Sequence, residues 1–374
     1  MENDSQPAPP GDFLKSELER RGWTQLDLAS ILDRPVAAIN EVIKGKRAIS
    51  PEMAVALGAA FSIPAEEWMA RESAYRLSLV RSQDLETVRK AKLYEFAPVK
   101  EMERRGWIPI SDSLDQTETA VCRFFGIRHL SENVVPQALA RQTYRALEFT
   151  GVQTAWLRRA SQFAEILNVR DFDHDRFVAA LPQIRQLASS LELVGAVPRI
   201  LAELGVRLVV VEALPKSRID GAMFWLGPSK PVVALTLRYD RIDWFWHTLA
   251  HELFHIVNND QESIDTNLVG ETKNQILDAV EDRADRQGAA WLIEDGKLDS
   301  FIVRTKPFYS KVKIIQFAKR IGVHPGIVNG QLQHRREVGW HANREMLVKI
   351  RDILTTVALT DGWGKTVTLK ENEL

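Results

Sequence analysis

The sequence contains a single cysteine, Cys122, so the chain can form no internal disulfide and no cysteine-based metal cluster. This scarcity is typical of proteins in the reducing cytosol. No apolar run reaches the length that a membrane span requires. The polar, proline-rich stretch Met1 to Asp12 has the features of neither a signal peptide nor a membrane anchor. We therefore expect a cytoplasmic protein with no membrane part.

A strong net charge is also absent, because 49 lysines and arginines nearly balance 50 aspartates and glutamates. The formal net charge of -1 excludes a general affinity for nucleic acid or membranes, so any such binding must be local. Hydrophobic residues make up 45% of the chain, which is enough for substantial cores. A length of 374 residues predicts two or three domains.

The N-terminal part has the pattern of a compact helical bundle. A first helix is predicted from Phe13 to Arg21, and a second begins after the N-cap Thr24. A third runs from Val36 to Lys44, and Ser50-Pro51 begins a fourth. Two short helices joined by a tight turn inside such a bundle are the layout of a helix-turn-helix domain.

The stretch Gly11 to Leu79 resembles HigA-type antitoxins of the Cro/repressor class. The similarity is carried by the run Ile39 to Ile49 and by Glu67-Trp68 together with Ser73-Ala-Tyr75. The resemblance implies a DNA operator as partner, and we expect a homodimer on a palindromic site.

The predicted DNA contacts surround the second and third helices. Side chains at the second helix's N-terminus can reach a phosphate, and a basic edge follows the third helix. The base-reading face is less typical, because Val36-Ala37-Ala38 stands where long polar side chains are expected. The predicted contact residues are Gln25, Arg34, Asn40, Lys44, Lys46 and Arg47. The alternative is a helical module that serves dimerisation or partner docking.

After a long helical stretch, β-branched residues predict a small sheet. Strands are expected at Val206 to Val211, Gly221 to Leu226 and Pro231 to Leu237, with a turn at Gly227 to Lys230. An edge of this sheet would allow an extended peptide to add as a further strand.

The helical pattern from Asp243 to Val257 contains His251-Glu252-Leu253-Phe254-His255. Positions i and i+4 share one helix face, so His251 and His255 can bind one metal ion. Glu252 is the next residue round and can act as a general base without being a ligand. Asp243 is the predicted N-cap. The alternative is a pair of histidines on an ordinary amphipathic helix.

A catalytic zinc site needs a third protein ligand. A second predicted helix, Val280 to Ile293, carries Glu281 and Asp285 four residues apart on one face. Glu281 is the predicted ligand, and Asp285 is placed to accept the free ring N–H of a ligand histidine. The alternative is a solvated acidic face with Arg283 and Arg286 as partners.

The run from Gly205 to Ile293 resembles the ImmA/IrrE-type metallopeptidases. The similarity rests on the H-E-x-x-H helix, on the later E-x-x-A-[ND] pattern at Glu281 to Asp285, and on Ile219 to Ala222. The chain departs from many members at Arg283, where they have Glu, and at Gln287-Gly288, where they have Phe and Ala. Arg283 leaves Glu281 as the ligand candidate in the matching register.

The expected fold class is therefore multidomain and mainly α. It combines an N-terminal helix-turn-helix bundle, an α+β zincin-like metallopeptidase domain with a small sheet, and a C-terminal helical cap. The cap resembles that of HigA–peptidase fusions. The predicted segments are a helix-turn-helix domain at 11–82, a helical linker or scaffold at 83–204, the metallopeptidase domain at 205–298 and the cap at 299–374.

These residues predict a transcriptional regulator or antitoxin-like protein with a metal-dependent endopeptidase that cleaves one protein partner, such as a regulator or a toxin. Zn2+ is the expected ion, although a His/carboxylate set also accepts Mn2+ or Fe2+. His247, His324 and His334 are weak candidates for polarising a substrate carbonyl, and the latter two also fit surface or N-cap roles. The alternative function is a DNA-binding antitoxin or repressor whose metal domain is a non-catalytic sensor or docking module.

Overall fold

The computed structural model describes residues 7–80, 84–130, 149–260, 263–266 and 275–363. Parts of the predicted scaffold and cap, residues 131–148 and 364–374, lie outside the described residues. The chain divides into two compact units, Met1–Lys92 and Leu93–Leu374. The finer divisions of the second unit, at 204/205 and 298/299, stay predictions.

The first unit is a bundle of five helices around one apolar core. Thr24 begins the second helix with a capping box, in which its side chain accepts from the Asp27 N–H and the Asp27 carboxylate accepts from the Thr24 N–H. Ser50 caps the fourth helix, so the N-cap predicted at Thr24 and the helix start predicted at Ser50-Pro51 are confirmed. Trp68 lies at the centre, with its ring 5.8 Å from that of Phe61. The helices are α1 (Pro10–Arg21), α2 (Gln25–Ile31), α3 (Val36–Ile43), α4 (Pro51–Phe61) and α5 (Ala65–Val80), and α6 (Asp84–Phe96) contains the boundary between the units.

The second unit combines helices with a small mixed sheet. Its further helices are α7 (Val99–Arg104), α8 (Leu114–Phe125), α9 (Gly151–Ile166), α10 (His174–Gln186), α11 (Val197–Glu203), α12 (Ile242–Val257), α13 (Gln275–Leu292), α14 (Asp295–Thr305), α15 (Lys311–Ile321), α16 (Pro325–His334) and α17 (Arg351–Val357). Short 3-10 turns lie at Leu187–Ser189, Glu192–Ala196 and Arg344–Met346. The described residues are thus mainly helical. None of their helices has both the length and the apolar character of a membrane span.

The sheet has the strand order β4-β2-β3-β1-β5. Its strands are β1 (Arg207–Val211), β2 (Ile219–Trp225), β3 (Pro231–Leu235), β4 (Ser263–Thr266) and β5 (Leu359–Asp361). β1 pairs parallel with β3 and with β5, whereas β2 pairs antiparallel with β3 and with β4. The hairpin between β2 and β3 closes where the Leu226 N–H donates to the Lys230 carbonyl, at the predicted turn.

Both faces of the sheet are buried, which explains why its central strands are continuously apolar. Leu208 and Val210 of β1 belong to a core shared with α12 and α16, and Val209 and Val211 belong to a core shared with α8 and α9. Alternate residues of a strand point to opposite faces, so each strand supplies both cores. The sheet therefore forms the middle layer between two groups of helices.

Two sequence-based expectations are corrected by the structure. α12 begins at Ile242 with Arg241 as its N-cap, so Asp243 lies in the first turn, where Arg241 binds its carboxylate at 3.0 and 2.6 Å. The segment 299–374 is not wholly helical, because β5 pairs with β1. The sheet continues beyond β2 with β4, so β2 is not an edge strand, and the addition of a peptide at a sheet edge stays a prediction. β4 and β5 are too short for a period-2 pattern to identify.

Candidate metal centre and DNA-binding face

Two nitrogen atoms and one oxygen atom converge between α12 and α13. The Nε2 atoms of His251 and His255 lie 2.9 Å apart. Oε2 of Glu281 lies 3.0 Å from the first of these atoms and 3.6 Å from the second. The structure thus brings together the three residues that the sequence predicts as metal ligands. His251 and His255 share one face of α12 because they are four residues apart, and Glu281 faces them because α13 packs against α12.

Each histidine is oriented from its other ring nitrogen by a carboxylate. Nδ1 of His251 lies 2.7 Å from Oδ1 of Asp285, the partner that the sequence predicts. Nδ1 of His255 lies 2.9 Å from Oδ2 of Asp260, a partner that is not predicted from the sequence. Hydrogen bonds of this kind place the ring proton on Nδ1 and leave the Nε2 lone pair available to a metal ion.

The donor set therefore fits a cation. With both Nδ1 atoms protonated, two Nε2 lone pairs face each other at 2.9 Å, which requires a proton or a metal ion between them. A tetrahedral ion with bonds of about 2.0–2.2 Å places its ligand atoms about 3.3–3.6 Å apart. The three observed separations, 2.9, 3.0 and 3.6 Å, lie close to this spacing. Two imidazoles and one carboxylate are also the ligand types of catalytic zinc sites.

The charges around the cluster are strongly coupled. Burial by itself raises the pKa of Glu281, but hydrogen bonds from His251 and His255 outweigh it and lower that pKa to about 2. Burial lowers the pKa of His255, and the contacts with Asp260 and Glu281 reverse this and raise it. Glu281 is therefore ionised at neutral pH, as a metal ligand must be.

Glu252 is fully buried beside the two histidines, and its carboxylate lies within 4.8 Å of their ligand atoms. It approaches β2 at Gly221. A Cβ at Gly221 would lie 2.7 Å from Oε1 of Glu252 and 2.7 Å from Cγ2 of Thr248. Only a glycine leaves room for α12 to pack this closely, so Gly221 sets the position of the Glu252 carboxylate.

Asp260 is a residue of the metal site that is not predicted from the sequence. α12 ends in a Schellman motif: Asn259 has a φ of 56°, and the Asp260 N–H donates to the His255 carbonyl at 2.9 Å. This turn returns the chain toward His255. Nε1 of Trp225 donates to the Asp260 carbonyl at 2.9 Å, and Arg283 forms an ion pair with its carboxylate. The signal in the sequence is the Asn258-Asn259-Asp260 run directly after the helix, because asparagine tolerates the left-handed conformation.

The two residues of α13 that depart from the peptidase pattern contact α12. Oε1 of Gln287 accepts from Nδ2 of Asn258 at 2.7 Å. A Cβ at Gly288 would lie 3.1 Å from the backbone nitrogen of His251. These contacts hold α13 close to α12. Glu281 and Asp285, by contrast, keep 32% and 54% of their side chains exposed, so the cluster is open to solvent on this side.

The three further histidines named from the sequence have different surroundings. His324 is the N-cap of α16, where Nδ1 accepts from the Gly326 N–H at 3.1 Å. His247 lies on α12 one helical turn before His251, and its ring centroid is 6.1 Å from that of His334, the last residue of α16. Burial lowers the pKa of His247, so its imidazole is neutral at pH 7.

The predicted DNA contacts lie around α2 and α3 of the first unit. Gln25 is the first residue of α2, and Asn40 is half-buried on α3. Arg34 is exposed just before α3, and Lys44 and Lys46 are exposed at its end. The remaining predicted contact, Arg47, is exposed as well but forms a salt bridge of 3.4 Å with Glu41.

The loop that carries these cations is held by a buried glutamate on α5. Oε2 of Glu72 accepts from the Ile49 N–H at 3.1 Å, and its other oxygen accepts from Nε of Arg76 at 2.7 Å. Glu72 is buried, so the loop between α3 and α4 has a defined conformation at its end. This role of Glu72 is not evident from the sequence, because its partner is a backbone group 23 residues away.

Comparisons with known proteins concern a limited part of the chain. A helix-turn-helix family model matches residues 14–68. Virulence-associated protein A′ of Dichelobacter nodosus is 40% identical over 84 residues, which are 22% of this chain and 73% of that protein. Virulence-associated protein A of the same organism is 39% identical over 88 residues, which are 23% of this chain and 86% of that protein. A solved structure of an addiction module antidote protein of a HigA family from Coxiella burnetii aligns with a TM-score of 0.22 and 24% identity, over 23% of this chain and 95% of that one.

Proposed function

We propose that the chain is a DNA-binding transcription regulator, because it belongs to the helix-turn-helix family of the virulence-associated proteins A and A′. In this proposal the first unit binds an operator as a homodimer. A role as an antitoxin, which would add a toxin as protein partner, is a more specific version of this proposal.

The observation that supports DNA binding is the placement of cations around the matched helices. Arg34 precedes α3, and Lys44 and Lys46 follow it, all of them exposed. Cations at the ends of a helix that enters the major groove contact phosphates and fix its register. The overall charge of -1 supplies no general attraction to DNA, so this local set has to supply the contacts.

The experiment is a titration of the full-length protein against its own promoter fragment at several salt concentrations. Lys44→Ala or Lys46→Ala removes one phosphate contact from each protomer of the homodimer, so it should weaken binding to all sequences and reduce the salt slope by about two. Lys15→Ala is the matched control, because that lysine is exposed on α1. A wild-type protein that does not bind the promoter at low salt would leave the first unit as a dimerisation or docking module.

We further propose that the second unit holds a divalent ion at His251, His255 and Glu281. The supporting observation is the convergence of their donor atoms within 3.6 Å, with Asp260 and Asp285 orienting the rings. Zn2+ fits the ligand set best, and Mn2+ or Fe2+ are compatible with it. Elemental analysis of the purified protein should find close to one ion per chain, and His251→Ala and Glu281→Ala should each lose it. Retention of the ion by Glu281→Ala would assign the third ligand elsewhere.

A second candidate function is metal-dependent endopeptidase activity, and the position of Glu252 favours it. A sensor or docking site needs the ligands alone, whereas hydrolysis also needs a general base. When bound, the ion would supply Lewis acidity toward a peptide carbonyl. Glu252 would accept a proton from water and return it to the leaving amine. Its burial keeps the carboxylate in a low-dielectric site, where charge interactions are strong.

The discriminating comparison is between Glu252→Gln and His255→Ala. Purified variants are incubated with a cell extract, and new peptide N-termini are counted against those produced by the wild-type protein. For a peptidase, Glu252→Gln should keep its metal and lose cleavage by about 10²–10⁴-fold. Glu203→Gln is the control, because that carboxylate is exposed on α11. If the wild-type protein generates no new N-termini that a chelator suppresses, the endopeptidase proposal fails and the metal site is a sensor or docking element.

A further inference from the structure

The exposed face of α3 carries methyl groups where a DNA-reading helix usually carries long polar side chains. Val36 is 38% exposed and Ala37 is exposed, both in the first turn of the helix. Ala38 and Ile39 are buried against the bundle. The side chains available at the start of α3 are therefore short and apolar.

No lysine or arginine lies within α3, whose sequence is Val-Ala-Ala-Ile-Asn-Glu-Val-Ile. This composition restricts what the helix can recognise. Guanine is read in the major groove mainly by arginine or lysine, which bind O6 and N7. Adenine is read by the amide of asparagine or glutamine, and the thymine 5-methyl group by apolar side chains. Cytosine would require an acidic acceptor, and the one carboxylate of the helix, Glu41, is bound by Arg47 at 3.4 Å.

We propose that α3 reads A·T base pairs, with Val36 and Ala37 against thymine 5-methyl groups and Asn40 against an adenine. This inference rests on the proposed DNA binding and adds its sequence preference. The apolar face has DNA as its occupant because exposed cations flank it, with Arg34 on one side and Lys44 and Lys46 on the other. Phosphates complement these charges on both sides of the groove that the helix enters.

The competing use of this face is protein docking. Leu26 and Ile31 of α2 are also exposed, at 63% and 49%, and could extend the apolar surface toward another protein. Thymine contact and protein docking differ in one respect that can be measured. Only contact with thymine depends on a single methyl group of the base.

The test begins with selection of binding sites from random duplex DNA by the full-length protein at low salt. Each thymine of the selected half-site is then replaced by deoxyuridine, which removes only the 5-methyl group. We expect one or two positions per half-site to lose affinity by about fourfold each, the effect of about 0.8 kcal/mol per buried methyl group. For Val36→Ala, the ratio of the affinities for the thymine and the uracil duplex should be close to one at the affected position.

Val55→Ala is the matched control, because Val55 is 63% exposed on α4, outside the helix-turn-helix pair. It should leave the thymine-to-uracil ratio unchanged. A selected half-site with required guanines under α3 and no uracil effect would overturn the inference while leaving DNA binding intact. If no sequence is enriched at all, the proposed specific DNA binding fails together with the inference, and the face is assigned to protein docking.

Discussion

Asp260 binds Nδ1 of His255 at 2.9 Å, although the chain has already left α12 when it reaches this carboxylate. The left-handed turn at Asn259 brings it back, and the Asp260 N–H donates to the carbonyl of His255 itself. His255 and Asp260 are therefore joined through both backbone and side chain. The imidazole has one orientation before any ion binds, so the ordering of the ring adds little to the entropic cost of metal binding.

Asp260→Asn should weaken metal binding by about 10–100-fold, the usual effect of removing a carboxylate behind a ligand histidine. The neutral amide attracts the ring proton less and so lowers the basicity of Nε2. Affinity is measured by competition with a chelator of known stability constant. Asp171→Asn is the control, because Asp171 is exposed in the loop before α10. An unchanged affinity would show that the backbone turn alone orients His255.

Arg283→Gln should change metal affinity in the opposite direction. Arg283 forms an ion pair with Asp260. Burial raises the pKa of Asp260, but the hydrogen bonds with His255 and then with Arg283 outweigh it and lower that pKa. The cation withdraws negative charge from the carboxylate that orients His255. Its removal should therefore make His255 a more basic ligand and tighten metal binding several-fold. Arg283→Lys keeps the charge and should match the wild-type protein in the same competition. Weaker binding by Arg283→Gln would mean that the arginine serves only to hold Asp260 in place.

The contrast between Asp285 and Asp260 shows what the sequence can predict about the site. Asp285 follows Glu281 by one helical turn, so helical periodicity alone places both on the face toward His251. Asp260 reaches His255 through a turn whose direction depends on the φ of Asn259. Arg283, which the sequence offers as a partner of the acidic residues on its own helix, forms its ion pair with Asp260. Predictions that depend on helix geometry thus succeed within one element and fail where the chain leaves it.

The same distinction applies to the fold. The sequence predicts β1, β2 and β3 close to their observed bounds, because strands buried on both faces give long apolar, β-branched runs. β5 has three residues and pairs with β1, about 150 positions earlier in the chain. Nothing local indicates this pairing. It is stabilised by the buried Asp361, whose carboxylate accepts hydrogen bonds from Arg159 and Trp107 on the side of the sheet that packs against α8 and α9.

Gly221→Ala should destabilise the protein by about 1–3 kcal/mol, the usual cost of overpacking a core. The added methyl group would lie 2.7 Å from Glu252 Oε1 and from Thr248 Cγ2, so α12 must move or Glu252 must change rotamer. Urea unfolding in the presence of a chelator measures the change without a contribution from metal. Gly296→Ala is the control, because a Cβ there has no neighbour within 4 Å. Equal stability of the two variants would show that Gly221 does not determine the packing of α12.

The metal-free protein should lose stability in acid through Glu281. Its pKa is about 2 in the folded chain and 4.5 ordinarily, so its contribution is complete above about 4.5 and disappears as the pH falls toward 2. The raised pKa of His255 has the opposite effect, with stabilisation present at low pH and lost as the pH rises. Unfolding is measured against pH in the presence of a chelator, for the wild-type protein and for Glu281→Gln. The neutral variant cannot release a proton at this position, so its stability should vary less between pH 2 and 4.5. Identical acid profiles would show that the Glu281 carboxylate is not bound by His251 and His255 in the metal-free protein.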